Sequence, residues 1–221
     1  MTKIPNISRL FVGLPLSDEA RRGVLKVIKT LKRKHWRVKW EPAEKWHGTL
    51  VFLGDIQVAK VAQVAKVVQV WETGKPFTLK FKGLGRFPEP QRVPRFGERV
   101  TGRMAKTVRL HPKDTITLPK IIWLGLKGDL KAMYRITKVI RQEFMAQSIW
   151  FDQKPLHPHI TLGRVERDCS RGELVEIAKE IEKMHALEIP QKWVVDRVCL
   201  YESVLKQSGS EYQVVDEVKL V

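Results

Sequence analysis

The chain carries one four-residue pattern twice, as His47-Gly48-Thr49-Leu50 and His159-Ile160-Thr161-Leu162, the second copy about half a chain length after the first. Side chains along an extended strand alternate between faces, so a histidine and a threonine at i and i+2 point the same way while the aliphatic residue turns to the core. A fold that uses both copies must set two strands of distant sequence origin side by side. One such match arises by accident in roughly one chain in ten of this length, and two in well under one in a hundred. Either histidine alone therefore reads as a satisfied strand residue near the end of a sheet, but the pair does not. Side by side, the two strands bring two imidazoles and two hydroxyls into one groove. One imidazole can give a proton while the other takes one, and the hydroxyls can donate to an oxyanion. That set suits cleavage of a phosphodiester without a metal.

The elements around the motifs nearly repeat. Residues 9–14 read as a buried strand ended by Pro15, and Ser17 as the N-cap of a helix to about residue 34, with Val24, Leu25, Ile28 and Leu31 on one face. Short strands at 37–40 and 46–53 follow. Valine-rich residues 58–72 recur at helical spacing through Val58, Val61, Ala65 and Val68, and 77–84 alternate as a half-buried strand. The second half gives a strand at 121–127, a helix at 130–147, the motif strand at 159–165, and a capping box, Ser170-Arg171-Gly172-Glu173, opening a helix to about residue 184. Two last strands, near 193–204 and 212–220, are joined by a turn at 207–210. The pattern predicts an α+β fold of two lobes, each with its own H-x-T strand.

Composition narrows the partners. The chain has 221 residues, 43% of them hydrophobic, enough for a buried core. Lys and Arg number 41 against 24 Asp and Glu, a net charge of +17, and the pI is near 10.0. A field of that sign draws polyanions, nucleic acid above all. Cys169 and Cys199 form no C-x-x-C pair, so neither a zinc site nor a disulfide framework is expected. The longest early apolar run is only residues 10–14, so a cytoplasmic chain without a membrane segment is expected. Segment 88–119 holds seven basic residues (Arg92, Arg95, Arg99, Arg103, Lys106, Arg109, Lys113) against three acids. It reads either as a basic flap near the groove that holds RNA phosphates, with Arg99 and Arg103 as candidate contacts, or as a solvated loop.

On these residues the sequence resembles the two-histidine (2H) phosphoesterases, and within them the RNA 2′,3′-cyclic phosphodiesterases of the LigT/ThpR group. The blocks that carry the resemblance are Arg9-Leu10-Phe11-Val12, Trp46 through Asp55, Ile121 through Leu126, Pro155 through Arg164, and Leu200-Tyr201-Glu202-Ser203. The resemblance implies a single bilobal α+β domain over 1–221, two interleaved lobes with antiparallel sheets and a central groove. It implies hydrolysis of RNA 2′,3′-cyclic phosphate ends to a 2′-phosphomonoester, with no cofactor and no metal, by a monomer. RNA ends, tRNA fragments among them, are the expected partners. By motif position His47 resembles the proton donor, His159 the proton acceptor, and Thr49 and Thr161 the phosphate ligands. The same site run in reverse would join RNA ends through a 2′,5′ linkage, and a non-catalytic RNA-binding module is the alternative from another class.

The chain departs from the family's pattern at Gly48, where an aliphatic residue is usual and Trp46 is expected to fill the gap, and in the 88–119 insertion. Arg164 is a candidate RNA contact only if the strand ends at Gly163, because strict alternation turns it away from the His159 face. Tyr201 is a further candidate, and with Phe11 and Trp123 it offers a ring to a base or to the core. His157 is a supporting residue, while His35, His111 and His185 read as surface.

Overall fold

The computed structural model describes residues 6–70, 74–89, 117–207 and 209–221. In chain order the strands are β1 (Ile7–Pro15), β2 (Val38–Trp40), β3 (His47–Gln57), β4 (Phe77–Phe87), β5 (Ile121–Gly128), β6 (His159–Val165), β7 (Glu188–Val195), β8 (Arg197–Lys206) and β9 (Gly209–Lys219). The helices are α1 (Asp18–Lys32), α2 (Val61–Gln69), α3 (Leu130–Ala146) and α4 (Arg171–Lys183). Among the described residues the strands form one sheet in the order β7-β4-β5-β6-β3-β1-β8-β9, every pairing antiparallel, with β2 pairing β6. This is an α+β fold of two strand groups, β7-β4-β5-β6 and β3-β1-β8-β9, which meet where the two motif strands touch. That contact is a single bridge, Gly48 opposite Ile160.

The groups do not follow the halves of the chain. β4, from the first half, joins the second motif's group, and β8 and β9 return to the first motif's group. The alternation pattern predicts one strand near 193–204. The chain instead breaks at Asp196, sending Glu188–Val195 to one end of the sheet beside β4 and Arg197–Lys206 to the other beside β1. Alternation records which residues are buried, not which strand they pair with, so the crossover is invisible locally.

Helix ends follow their caps. Ser17 Oγ accepts from the Ala20 N–H at 3.3 Å. At α4 the Glu173 N–H donates to Ser170 Oγ at 3.3 Å, and the Ser170 N–H donates back to Glu173 Oε2 at 2.7 Å. Segment 58–72 is shorter than its periodicity suggests: Val58–Lys60 is a 3-10 turn, and α2 buries Val64, Val67 and Val68 rather than the stripe beginning at Val58, which is 47% exposed. All four helices contribute to one apolar core, with Val24 and Leu31, Val64 and Val68, Met133 and Ile136, and Ile177 and Ile181 packed with Leu50, Ile160 and Leu162 of the motif strands.

Gly48 opens a space in that core that a distant residue fills. A Cβ at Gly48 would lie 3.0 Å from Trp193 Cη2 of β7, with the Met133 methyl at 3.8 Å. Trp46 does not take this place; it is buried with its indole N–H donating to the Glu41 carbonyl at 3.0 Å. Trp193 is fully buried, and its own N–H donates to the Pro15 carbonyl at 3.0 Å, locking β7 against the end of β1.

Candidate active site

Two bulges decide which side chains share the groove. β5 and β6 pair Ile122 with Gly163 and Trp123 with Thr161, which leaves Leu162 as an extra residue. β1 and β3 pair Val12 with Val51 and Gly13 with Thr49, which leaves Leu50 extra. Each bulge follows a motif threonine and resets the alternation by one residue. Arg164, opposite Ile121, therefore shares a face with Thr161, opposite Trp123; Phe52, opposite Phe11, shares a face with Thr49, opposite Gly13. The expectation that alternation would turn Arg164 away is overturned, although the strand continues to Val165. Both motifs thus read H-x-T-x-x-X on one face, with X being Phe52 in one and Arg164 in the other.

Around the Gly48–Ile160 bridge the antiparallel register sets His47 toward Thr161 and Thr49 toward His159. The histidines occupy one diagonal of a rectangle and the threonines the other. Strand spacing and rise put the histidine Cα atoms about 8 Å apart or more. A cavity of about 190 Å³ opens on this face, lined by His47, Thr49 and Thr161 with Glu41, Lys45, Phe52, Arg164, Ser203, Tyr212 and Phe11. His159 is not part of that lining. It stands beyond Thr49, close enough for its charge to act on His47.

The two rings are held alike. His47 Nδ1–H donates to the Lys45 carbonyl and His159 Nδ1–H to the His157 carbonyl, both at 2.7 Å and both two residues upstream. A carbonyl can only accept, so the proton sits on Nδ1, and Nε2 is left as the atom that gains or loses a proton. Each ring also rests in an aromatic surround. His47 has Phe11, Tyr212 and Tyr201 at centroid distances of 4.6, 5.2 and 5.8 Å. His159 has Phe87, His157 and Trp123 at 5.1, 5.3 and 6.1 Å. Phe11, Tyr201 and Tyr212 come from β1, β8 and β9 on one side; Trp123 and Phe87 come from β5 and β4 on the other, with His157 just before β6. Burial is the leading cause that pushes His47 down to about 4 and His159 down from its ordinary value, in both cases opposed by the backbone hydrogen bond.

Arg164 Nε lies 3.4 Å from Glu41 Oε1, which leaves the two terminal nitrogens as its remaining donors. Glu41 is itself anchored, because its N–H donates to the carbonyl of bulged Leu162 at 2.8 Å. Tyr201 is 9% exposed and stacks on Phe11 at 5.0 Å, so it packs behind His47 rather than forming the cavity wall. His157 is more than supporting: besides holding His159 through its carbonyl, its Nε2 lies 2.6 Å from Glu89 Oε1. Arg99, Arg103 and His111 lie outside the described residues, as does most of 88–119. The flanks of that segment extend the β4–β5 hairpin, where Lys120 N–H donates to the Phe87 carbonyl beside His159. His185 is exposed. Sequence reasoning missed Phe52, Glu41, Phe87 and Tyr212. Aligning the two motifs would have found Phe52, since it follows its histidine by the same interval as Arg164.

The family described as "LigT like Phosphoesterase" matches residues 14–96 and 127–212. The chain belongs to the LigT-like phosphoesterases. A relative from Thermotoga maritima, an RNA 2′,3′-cyclic phosphodiesterase, is 25% identical over 210 residues, covering 95% of this chain and 94% of that protein. Among solved structures, TT0787 of Thermus thermophilus is similar with a TM-score of 0.70 at 20% identity, covering 96% of this chain and 97% of that one. Escherichia coli LigT complexed with 3′-AMP is similar with a TM-score of 0.64 at 18% identity, covering 97% and 99%. As a LigT-like phosphoesterase the chain is an enzyme, and its diagonal His and Thr pairs lie within the matched regions. Among the described residues no helix is long and apolar enough to cross a membrane.

Proposed function

We propose that this LigT-like phosphoesterase hydrolyses the 2′,3′-cyclic phosphate at an RNA end to a 2′-phosphomonoester. The observation that carries the reading is the diagonal pair of histidines, each fixed through Nδ1 and each left with Nε2 for proton transfer. The cyclic phosphate occupies the cavity, its non-bridging oxygens accepting from the Thr49 and Thr161 hydroxyls and from Arg164. His159 takes a proton from water as the water oxygen bonds to phosphorus. The bond from phosphorus to the ribose 3′ oxygen breaks, and His47 gives that oxygen its proton. The phosphate stays on the 2′ oxygen and one water is consumed. The donor role of His47 and the acceptor role of His159 follow the family resemblance, since the two rings are held alike. The +17 charge draws RNA to the site, tRNA fragments included.

Turnover of a 2′,3′-cyclic nucleotide by wild type, His47→Ala and His159→Ala tests the reading. Each substitution should lower kcat by about 10²- to 10⁴-fold, the usual contribution of a positioned acid or base. The product should be the 2′-phosphate, formed equally well in chelator. Undiminished turnover in either variant would sink the mechanism.

A further inference from the structure

One exposed ring lines the cavity and a second stands near it. Phe52 lines the cavity and is 37% exposed, while Trp150, which does not line it, is 64% exposed. Trp150 sits between Ile149 and Phe151, both buried in the core, while its own ring is turned to solvent. The segment is tied to β3: the Asp152 N–H donates to the Phe52 carbonyl at 2.8 Å. The two rings flank Gly54, whose φ of +67° suits glycine. The point where a side chain would begin there is 3.5 Å from Trp150 Cζ3 and 3.7 Å from Phe52 Cε1. The Arg9 guanidinium is 5.9 Å from the Phe52 ring centroid and pairs with Asp55 at 3.2 Å.

We propose that Phe52 and Trp150 form a two-ring stacking platform for single-stranded RNA, continuous with the catalytic cavity. The base next to the reacting phosphate lies on Phe52, and the base of the preceding nucleotide lies on Trp150. Phe52 lines the cavity, so the base of a ribose phosphate held there is within reach of its ring. Exposed aromatic faces accept any base. The platform rests on the proposed reaction, because it assigns the substrate of that site as an oligonucleotide end rather than a free cyclic nucleotide.

Trp150→Ala and Trp150→Phe separate the possibilities, and the exposed position makes both variants compatible with folding. For a trinucleotide ending in 2′,3′-cyclic phosphate, Trp150→Ala should lower kcat/KM about tenfold, the size of one base–aromatic contact. Trp150→Phe should restore most of it, and a cyclic mononucleotide should change less than twofold. Equal loss on both substrates, or no loss on the trinucleotide, overturns the platform. So does a dimer that Trp150→Ala abolishes, since a second copy would then occupy the rings. If wild type turns over neither substrate, the proposed reaction fails. Fluorescence anisotropy of a labelled trinucleotide then still reads the platform, with about tenfold weaker binding expected in Trp150→Ala and unchanged binding overturning it.

Discussion

Both groove histidines are held below their ordinary pKa, and this sets the pH dependence of turnover. Proton exchange across the groove needs one imidazole charged and the other neutral. His47 lies near 4 and His159 is lowered, so in the free enzyme the singly protonated pair peaks below pH 6.5. Above that its population falls about tenfold per pH unit, and at pH 7 a group of pKa near 4 is charged in about one molecule in a thousand. The assay is kcat/KM for a 2′,3′-cyclic mononucleotide between pH 5 and 9 at constant ionic strength. A fall of about tenfold from pH 7 to 8 is expected. The kcat profile, which reports the complex, should hold its plateau to higher pH because bound phosphate stabilises the imidazolium. A kcat/KM that stays flat or rises from pH 7 to 9 would refute the reasoning. Stability moves with the same shift. The unfolded histidine binds its proton more readily than the folded one, so the His47 contribution is complete above pH 6.5 and is lost as pH falls toward 4. That amounts to about 3 kcal/mol, which urea titrations of wild type and His47→Gln at pH 7.5 and 4.5 should resolve.

Two other substitutions test the architecture of the groove. Arg164→Ala should raise KM for the cyclic phosphate about tenfold to a hundredfold, the value of one charged hydrogen bond, with part recovered in Arg164→Lys; an unchanged KM would remove Arg164 from the phosphate site. Gly48→Ala brings a methyl to 3.0 Å from the Trp193 ring, which is buried and cannot retreat, so urea unfolding should show a loss of about 1–3 kcal/mol. A neutral result there would mean that Trp193 has room to move.

Much of the site was legible because it is written in short-range spacing. Period-2 alternation places His47 with Thr49 and His159 with Thr161 wherever the strands go, and Ser170 with Glu173 marks the start of α4 for the same local reason. The duplication required two strands to meet, and charge composition named a polyanion. The remainder depends on partners distant in sequence. The bulges at Leu50 and Leu162 exist only as mismatches against β1 and β5, and they turn Phe52 and Arg164 into the groove. Trp193 fills the space at Gly48 because β7 reaches the end of β1. Carbonyls at Lys45 and His157 choose the tautomer, and burial among rings from five other strands lowers both pKa values. The sequence alone determined which side chains each motif sets on one face, because side-chain identity and strand period are local. Only the tertiary structure decided how those groups face one another and in which proton state, because register, burial and electrostatics arise between residues that the chain keeps far apart.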